Sequence, residues 1–330
     1  MIELSIICPT YNEIRFIDKL TESLCADDGL QKEILIVDGG STDGTVERVG
    51  ELQKKFPSIR LIHNPRRTST AAFNIAFRES RGAYVAFVGA HAEYARDYFS
   101  IGLEALRNNE CDAVGGPLQQ KGISEKGQAI ALVMSSRAGV GNTEFRTSDK
   151  RAYVDSVAFA IYRKSMIEKI GLMDEKLPVN QDDEFHYRIN ANGYRILMLP
   201  RMKATYYVRN SYRKLARQYF RYGLYKPSVL SKVKGSVRLR HLIPSLFTVY
   251  FISLLIYFLP LPLPHTLPHL LSLTLTLTLT LPSFLYLLLI LSVTIRFRSS
   301  ITVKVLALPV YPILHLSYGS GFIIGLLRKK

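Results

Sequence analysis

Residues 34–45 read ILIVDGGSTDGT, a stretch whose residue types and order have chemical uses. Asp38 follows an apolar run that describes a buried parallel strand. It therefore falls at the strand's carboxyl end, where open α/β sheets bind ligands. There a carboxylate accepts hydrogen bonds from a ribose or a base and repels a phosphate. Gly39 and Gly40 adopt backbone angles closed to other residues and let a ligand approach the main chain. Ser41 or Thr42 can cap the helix that follows. Two readings fit these letters: recognition of a nucleotide sugar, and an ordinary capped strand-to-helix turn.

The elements that must hold such a turn follow from periodicity. Residues 4–8 read as a first strand, Pro9-Thr10-Tyr11-Asn12-Glu13 as its exit loop, and the segment to about residue 24 as a helix. An amphipathic stretch covers 43–55, a strand 59–63, a helix 68–79 and a strand 83–88 that runs into Gly89-Ala90-His91-Ala92-Glu93. Helix is expected over 94–108, strand over 112–116 with a Gly-Gly-Pro stop, helix over 124–137 and a loop over 139–150. Beyond lie a strand at 154–162, a helix at 164–170 capped by Gly171, a helix at 182–192 closed by Gly193, and strands at 195–199 and 205–208. Strands alternating with helices predict an α/β fold, a mostly parallel sheet with helices on both faces.

Charge divides the chain. The net charge is +16, with 43 Lys and Arg against 27 Asp and Glu, yet no acid occurs beyond Glu184, where 20 of the basic residues lie. The basic part is also the apolar part, which points to an anionic membrane surface and away from nucleic acid. Cys8, Cys25 and Cys111 fit neither a disulfide framework nor a metal-ligand spacing, so a reducing compartment is expected for the first part. Residues 1–3 lead straight into a strand-like run, so no signal peptide is expected.

Residues 210–239 are basic and aromatic, with Tyr212, Leu215, Tyr219 and Tyr222 at helical spacing beside Arg213, Lys214, Arg217 and Arg221. A helix in the headgroup layer fits, and so does a core-facing helix with a solvated basic side. From His241 to Arg296 no Lys, Arg, Asp or Glu intervenes, and Pro260, Pro262, Pro264 and Pro268 break the run. Spans are expected at about 242–259, 269–295 and 303–327. The LTLTLTLTL stretch at 273–281 alternates like a strand, but an open strand leaves its backbone unsatisfied in lipid, so helix is expected. The organisation is thus 1–208, an α/β domain; 209–240, a basic interfacial segment; and 241–330, a membrane domain. Positive-inside bookkeeping sets the first two in the cytoplasm and returns Arg296-Phe297-Arg298 there. A simple third span leaves Arg328-Lys329-Lys330 outside, while a re-entrant last segment, allowed by Pro309 and Pro312, keeps them inside.

Taken together, Pro9-Thr10-Tyr11-Asn12-Glu13, Asp38, Arg67 with Asn74, His91 and Asp182 resemble the family 2 glycosyltransferases, nucleotide-sugar enzymes of the GT-A (Rossmann-like) fold. The resemblance spans about residues 4–222 and is nearest the membrane-attached exopolysaccharide, succinoglycan-type branch. It implies that Pro9, Tyr11, Glu13, Asp38 and Arg67 line the donor pocket, Asp38 toward uracil or ribose and Arg67 toward base or pyrophosphate. The family's metal motif is Asp-x-Asp; Gly89-Ala90-His91 stands there, one carboxylate absent and the other replaced by an imidazole, a group that binds manganese. Glu93 can substitute if the loop turns it inward. Asn180-Gln181-Asp182-Asp183-Glu184 matches the family's base site, with Gln181 in place of Glu. That implies Asp182, then Asp183, as the group that takes the acceptor's proton. Three acids in a first turn also complement a helix dipole. Gln218, Arg221 and Tyr222 match a Gln-x-x-Arg-Trp pattern for acceptor or diphosphate.

The resemblance therefore implies an inverting hexosyltransferase that moves a sugar from a UDP-linked donor, with Mn²⁺ or Mg²⁺, to a lipid-linked or growing polysaccharide acceptor at the cytoplasmic membrane face. The departures at Gly89 and Gln181 keep open a catalytically inactive membrane scaffold of a glycan-assembly complex. A glycan exporter subunit is a further reading, against which three spans are few for a pore.

Overall fold

The computed structural model describes residues 2–27, 29–233, 236–258 and 269–328. The chain opens with β1 (Leu4–Thr10), α1 (Ile17–Cys25), β2 (Lys32–Asp38), α2 (Thr45–Lys55), β3 (Ile59–His63), α3 (Ser69–Glu79) and β4 (Tyr84–Phe87). Then come β5 (Ala92–Tyr94), α4 (Tyr98–Arg107), β6 (Ala113–Gly116), β7 (Leu118–Lys121), α5 (Glu125–Met134) and the one-turn helices α6 (Arg137–Val140) and α7 (Glu144–Thr147). They are followed by β8 (Ala152–Tyr153), β9 (Ala158–Arg163), α8 (Lys164–Ile170), α9 (Gln181–Ala191), β10 (Ile196–Met198) and β11 (Ala204–Tyr207). The rest is helical among the described residues: α10 (Tyr212–Lys232), α11 (Leu239–Tyr257), α12 (His269–Ile295), α13 (Ile301–Ala307) and α14 (Val310–Leu327).

Two compact units result: Met1–Lys121, Thr143–Tyr207 and Ser228–Ser236 form one, and Gly122–Asn142, Val208–Pro227 and Val237–Lys330 the other. The first holds an eight-stranded sheet in the order β3-β2-β1-β4-β9-β6-β10-β8. β3, β2, β1 and β4 run parallel, as do β6 and β10, while β9 is antiparallel to β4 and β6 and β8 closes the edge antiparallel to β10. Alternate residues of the inner strands take opposite faces. Ile6, Ile34 and Ile36 pack with Ile17 and Leu20 of α1, Val49 of α2 and Leu103 of α4. Ile7, Leu35 and Val37 pack with Phe73 of α3, Ile167 of α8 and Phe185 of α9. The expected mostly parallel sheet with helices on both faces is therefore present. Burial pushes the thiols of Cys8 and Cys111 up to about 12, so both stay protonated and unreactive.

Several local expectations need correction. The helix expected from residue 94 starts at Tyr98, because Ala92–Tyr94 forms β5 of a second sheet, β5-β11-β7, where Glu93 pairs with Thr205. The Gly-Gly-Pro stop is followed at once by β7. The strand expected over 154–162 is β9, which starts only at Ala158, with the two-residue β8 standing before the expected range, and the expected loop over 139–150 contains α7 and the end of α6. Neither Ser41 nor Thr42 caps a helix: α2 is entered through Gly44 at φ +93°, with no side-chain cap.

In the second unit the apolar helices α11, α12 and the α13–α14 run are long and apolar enough to cross a membrane, by length and composition. The Leu-Thr repeat is helical, as its backbone requires in lipid. The last apolar run is interrupted between α13 and α14, and Pro309 stands at the N-cap of α14. On α10, Leu215 and Tyr219 are buried while Arg213, Lys214, Arg217 and Arg221 are exposed, the expected two-sided helix. Its backbone meets α14 closely: a Cβ on Gly321 would fall 2.1 Å from the Phe220 carbonyl oxygen.

Candidate active site

The two loops that leave β1 and β2 are stitched together by their own motif residues. β1 and β2 pair in register through Thr10 and Asp38, and Asp38 pairs on to His63 of β3. Gly39 N donates to the Thr10 carbonyl at 2.9 Å. Asn12, at φ +56°, receives a bond from Thr42 N at 2.8 Å and donates its own N–H to Ser41 Oγ at 2.8 Å. Glu13 N donates to Thr45 Oγ1 at 2.9 Å, and Ile14 N to Asp43 Oδ2 at 3.2 Å. The pairing of the two motifs in sequence thus has a physical cause, because each supplies the other's hydrogen-bond partners.

Asp38 is the pivot. It is 4% exposed, and its Oδ2 accepts from Gly40 N at 2.7 Å and Ser41 N at 2.9 Å, while Ser41 Oγ donates to Oδ1 at 2.5 Å. Such an Asx turn needs a positive φ two residues on, which Gly40 supplies at +84°. Arg67 lies across the turn: a Cβ on Gly40 would sit 3.5 Å from Arg67 Nη2, and one on Gly39 would touch Arg67 Cα at 3.5 Å and Tyr11 Cδ2 at 3.6 Å. Arg67 is exposed at φ +57° and forms no ion pair among the described residues, whereas neighbouring Arg66 pairs with Glu175. Tyr11 is 51% exposed, an open aromatic side chain beside Gly39. Pro9 is half-buried at the end of β1.

The loop carrying Arg67 also reaches α9. Gln181, the first residue of that helix, donates from Nε2 to Ser69 Oγ at 2.9 Å, and Asn74 Nδ2 donates to the Met173 carbonyl and Glu175 Oε1, both at 2.9 Å. Asp182 and Asp183 follow in the first turn of α9; Asp182 is exposed and its Oδ1 accepts from Asp183 N at 3.0 Å. Asp38 bonds Gly40 N, Gly40 lies against Arg67, and Ser69, two residues further along the chain, holds Gln181, the neighbour of Asp182, all within the first unit. Glu184 is withdrawn from this rim, buried and paired with Arg188 through two 3.0 Å bonds.

Beneath the acidic turn, His186 is 1% exposed, with Nδ1 at 2.9 Å from Ser156 Oγ and Nε2 at 2.8 Å from Tyr162 Oη. Burial lowers its imidazole to about 4, against an opposing pull from Asp183. Burial also drives the Tyr162 phenol well above its ordinary value, and the Asp182 charge adds to that. His186 is thus neutral in the folded protein and takes up a proton more readily when unfolded. Its contribution to stability is complete above about pH 6.5 and falls as pH drops toward about 4, by about 3 kcal/mol at most. The unfolding midpoint should fall over that window, and His186→Gln should flatten the fall; equal slopes in the two proteins would contradict the assignment.

At the end of β4, a Cβ on Gly89 would stand 2.7 Å from Phe159 Cε1, and that ring is packed against Tyr94 at 5.4 Å. The place of the missing carboxylate is occupied by an aromatic ring. Gly89→Asp should therefore destabilise the fold by about 1–3 kcal/mol. Phe159→Ala should recover part of that loss in a double-mutant cycle, and strict additivity would contradict the clash. His91 Nε2 lies 3.0 Å from Glu13 Oε1, and Glu93 accepts from Tyr207 Oη at 2.7 Å. No group of three or more His, Cys, Asp or Glu is poised around one point among the described residues. His91 nevertheless fits a divalent ion that takes its other ligands from a diphosphate, since such ions commonly rest on one or two protein groups.

Gln218, Arg221 and Tyr222 belong to the second unit, where Gln218 Nε2 donates to Tyr222 Oη at 2.8 Å. No local pattern signals Phe159, Tyr207 or the Glu13–His91 pair. Asn12 had a signal, because Asn tolerates positive φ in a turn.

A mostly parallel sheet with a carboxylate-centred turn at its strand ends has the architecture of the α/β proteins that bind ligands at the carboxyl edge of the sheet. The model of "Glycosyl transferase family 2" matches residues 5–171, and the chain belongs to that family and is a glycosyltransferase. Among curated relatives it is 31% identical over 242 residues to the succinoglycan biosynthesis protein ExoA of Rhizobium meliloti, covering 72% of this chain and 73% of that one. It is 30% identical over 264 residues to a dolichyl N-acetyl-alpha-D-glucosaminyl phosphate 3-beta-D-2,3-diacetamido-2,3-dideoxy-beta-D-glucuronosyltransferase of Methanococcus voltae, covering 77% and 81%. Among solved structures, the mannosyltransferase PcManGT of Pyrobaculum calidifontis, in complex with GDP-Man and Mn²⁺, superposes with a TM-score of 0.65 at 17% identity. That match covers 99% of this chain and 88% of PcManGT, and it shows a shared fold.

Proposed function

We propose that the chain transfers a sugar, with inversion, from a nucleoside diphosphate donor to a lipid-linked or growing polysaccharide acceptor at the cytoplasmic face of the cell membrane. UDP is the nucleotide assigned. The observation that carries the reading is that the Asp38 turn lies against the unpaired Arg67 guanidinium, and that the segment following Arg67 is tied through Ser69 to Gln181, next to the exposed Asp182.

In this reading Asp38 accepts from ribose or uracil through the lone pair left on Oδ1, Tyr11 and Pro9 flank the nucleoside, and Arg67 meets the diphosphate. Glu13 borders the pocket through His91. His91 would hold Mn²⁺ or Mg²⁺, which would supply positive charge to the leaving group. Asp182 takes the proton of the acceptor hydroxyl as its oxygen attacks the anomeric carbon, and the bond from that carbon to the diphosphate oxygen breaks with its electrons leaving on the diphosphate. Asp183 is the reserve carboxylate. Gln218, Arg221 and Tyr222, on the second unit, serve acceptor binding. The apolar helices span the membrane more than once and anchor the enzyme, supported by the run of basic residues without acids that follows Glu184.

A panel of UDP- and GDP-sugars, titrated calorimetrically and assayed for transfer with and without Mn²⁺, tests the reading. Micromolar binding and turnover of a UDP-sugar are expected; preference for a GDP-sugar would overturn the nucleotide assignment. The second reading, an inactive membrane scaffold, is favoured by the Phe159 ring standing where the first metal carboxylate would be. Absence of any nucleotide-sugar binding with Mn²⁺ present would select it.

A further inference from the structure

Glu13 and His91 leave different strand ends and meet outside the grip around Asp38. Glu13 is 8% exposed; its Oε1 faces His91 Nε2 at 3.0 Å, and its Oε2 is buried with no hydrogen-bond partner. Burying a carboxylate is unfavourable by several kcal/mol unless it is well paired, and the imidazole is the pairing this one makes. A carboxylate accepts and does not donate, so the shared hydrogen lies on Nε2. Nδ1 is then the ring atom with a lone pair to give. The ring is steadied further by Phe16, edge-on at 5.0 Å, and the His91 carbonyl accepts from Tyr207 N at 3.2 Å. His91 is 30% exposed, so part of the side chain reaches solvent.

This is the arrangement of a metal-binding histidine, whose second nitrogen gives its hydrogen to a carboxylate that fixes tautomer and orientation. We propose that Glu13 is the positioning residue of a single-imidazole cation site, holding His91 so that Nδ1 faces a divalent ion. The pair makes up in basicity and orientation for the carboxylate that Gly89 cannot carry beneath Phe159. The proposal rests on the reading that the chain binds a nucleoside diphosphate together with an ion.

The test uses the full chain in detergent micelles with Mn²⁺ as probe and UDP present, read by pulsed paramagnetic resonance and by Mn²⁺ titration. Wild type is expected to show nitrogen coupling from one imidazole, and His91→Ala to lose it. In Glu13→Gln, close in size but uncharged, and in Glu13→Ala, Mn²⁺ affinity measured at saturating UDP, so that any change in donor binding is removed, should fall roughly tenfold or more. If wild type shows the coupling and both Glu13 variants bind Mn²⁺ as tightly as wild type, the positioning role is overturned while ion binding stands. Mn²⁺ bound with UDP but without nitrogen coupling in wild type would overturn His91 as the ligand. Failure to bind UDP at all would instead reject the nucleotide reading beneath it.

Discussion

Asp182→Asn should lower kcat by about 10²–10⁴-fold while donor affinity stays within about threefold of wild type. An amide keeps the size of the side chain and still accepts the bond from Asp183 N, so the first turn of α9 is expected to hold. What is lost is the capacity to take a proton, and an alcohol is too weak an acid to ionise unaided. The split between turnover and binding separates a base from a donor-binding group, since the latter would raise Kd together with any loss in rate. Asp183→Asn is expected to cost much less. Undiminished turnover in Asp182→Asn, or an equal loss in both variants, would remove the base assignment.

Asp38 is expected to give the largest effect on binding, and two substitutions divide its roles. Asp38→Ala strips the acceptors from Gly40 N, Ser41 N and Ser41 Oγ, and should cost about 2–4 kcal/mol of stability along with donor binding. Asp38→Asn keeps one oxygen for the two backbone donors and presents its amide to the Ser41 hydroxyl, so stability should fall by only about 1 kcal/mol. If the carboxylate itself holds the nucleoside, calorimetry should still show a tenfold or greater loss of UDP affinity in the Asn variant. Unchanged affinity there would reduce Asp38 to the architect of its own turn.

That ambiguity was already present in the letters DGGSTDGT, and the fold shows why. The same carboxylate that suits a ribose is engaged by its own loop, and Ser41, expected as a helix cap, bonds to Asp38 and Asn12 instead. The parallel strands and their covering helices were legible because Ile6 and Ile7, or Ile34 and Leu35, alternate between two buried faces that leave a continuous apolar run. The small sheet β5-β11-β7 was not legible. Its strands are three or four residues long and pair across more than 80 positions, so their stability comes from partners that no local pattern announces. For the same reason nothing near Gly89 in sequence foretold Phe159, 70 residues on, and nothing in Pro9-Thr10-Tyr11-Asn12-Glu13 foretold that Glu13 would turn onto His91. The Leu-Thr repeat shows the reverse case: its period of two suggests a strand, and the demand that every backbone group be satisfied within the segment decides for helix.

The most direct measurement is a structure of the full-length Asp182→Asn protein holding an intact UDP-sugar, which this variant should bind without consuming. The nucleoside should lie against Asp38 and Tyr11, with the anomeric carbon facing the first turn of α9, where an acceptor oxygen would have room within about 3 Å of residue 182. A donor seated elsewhere, or one whose sugar points away from α9, would contradict the account.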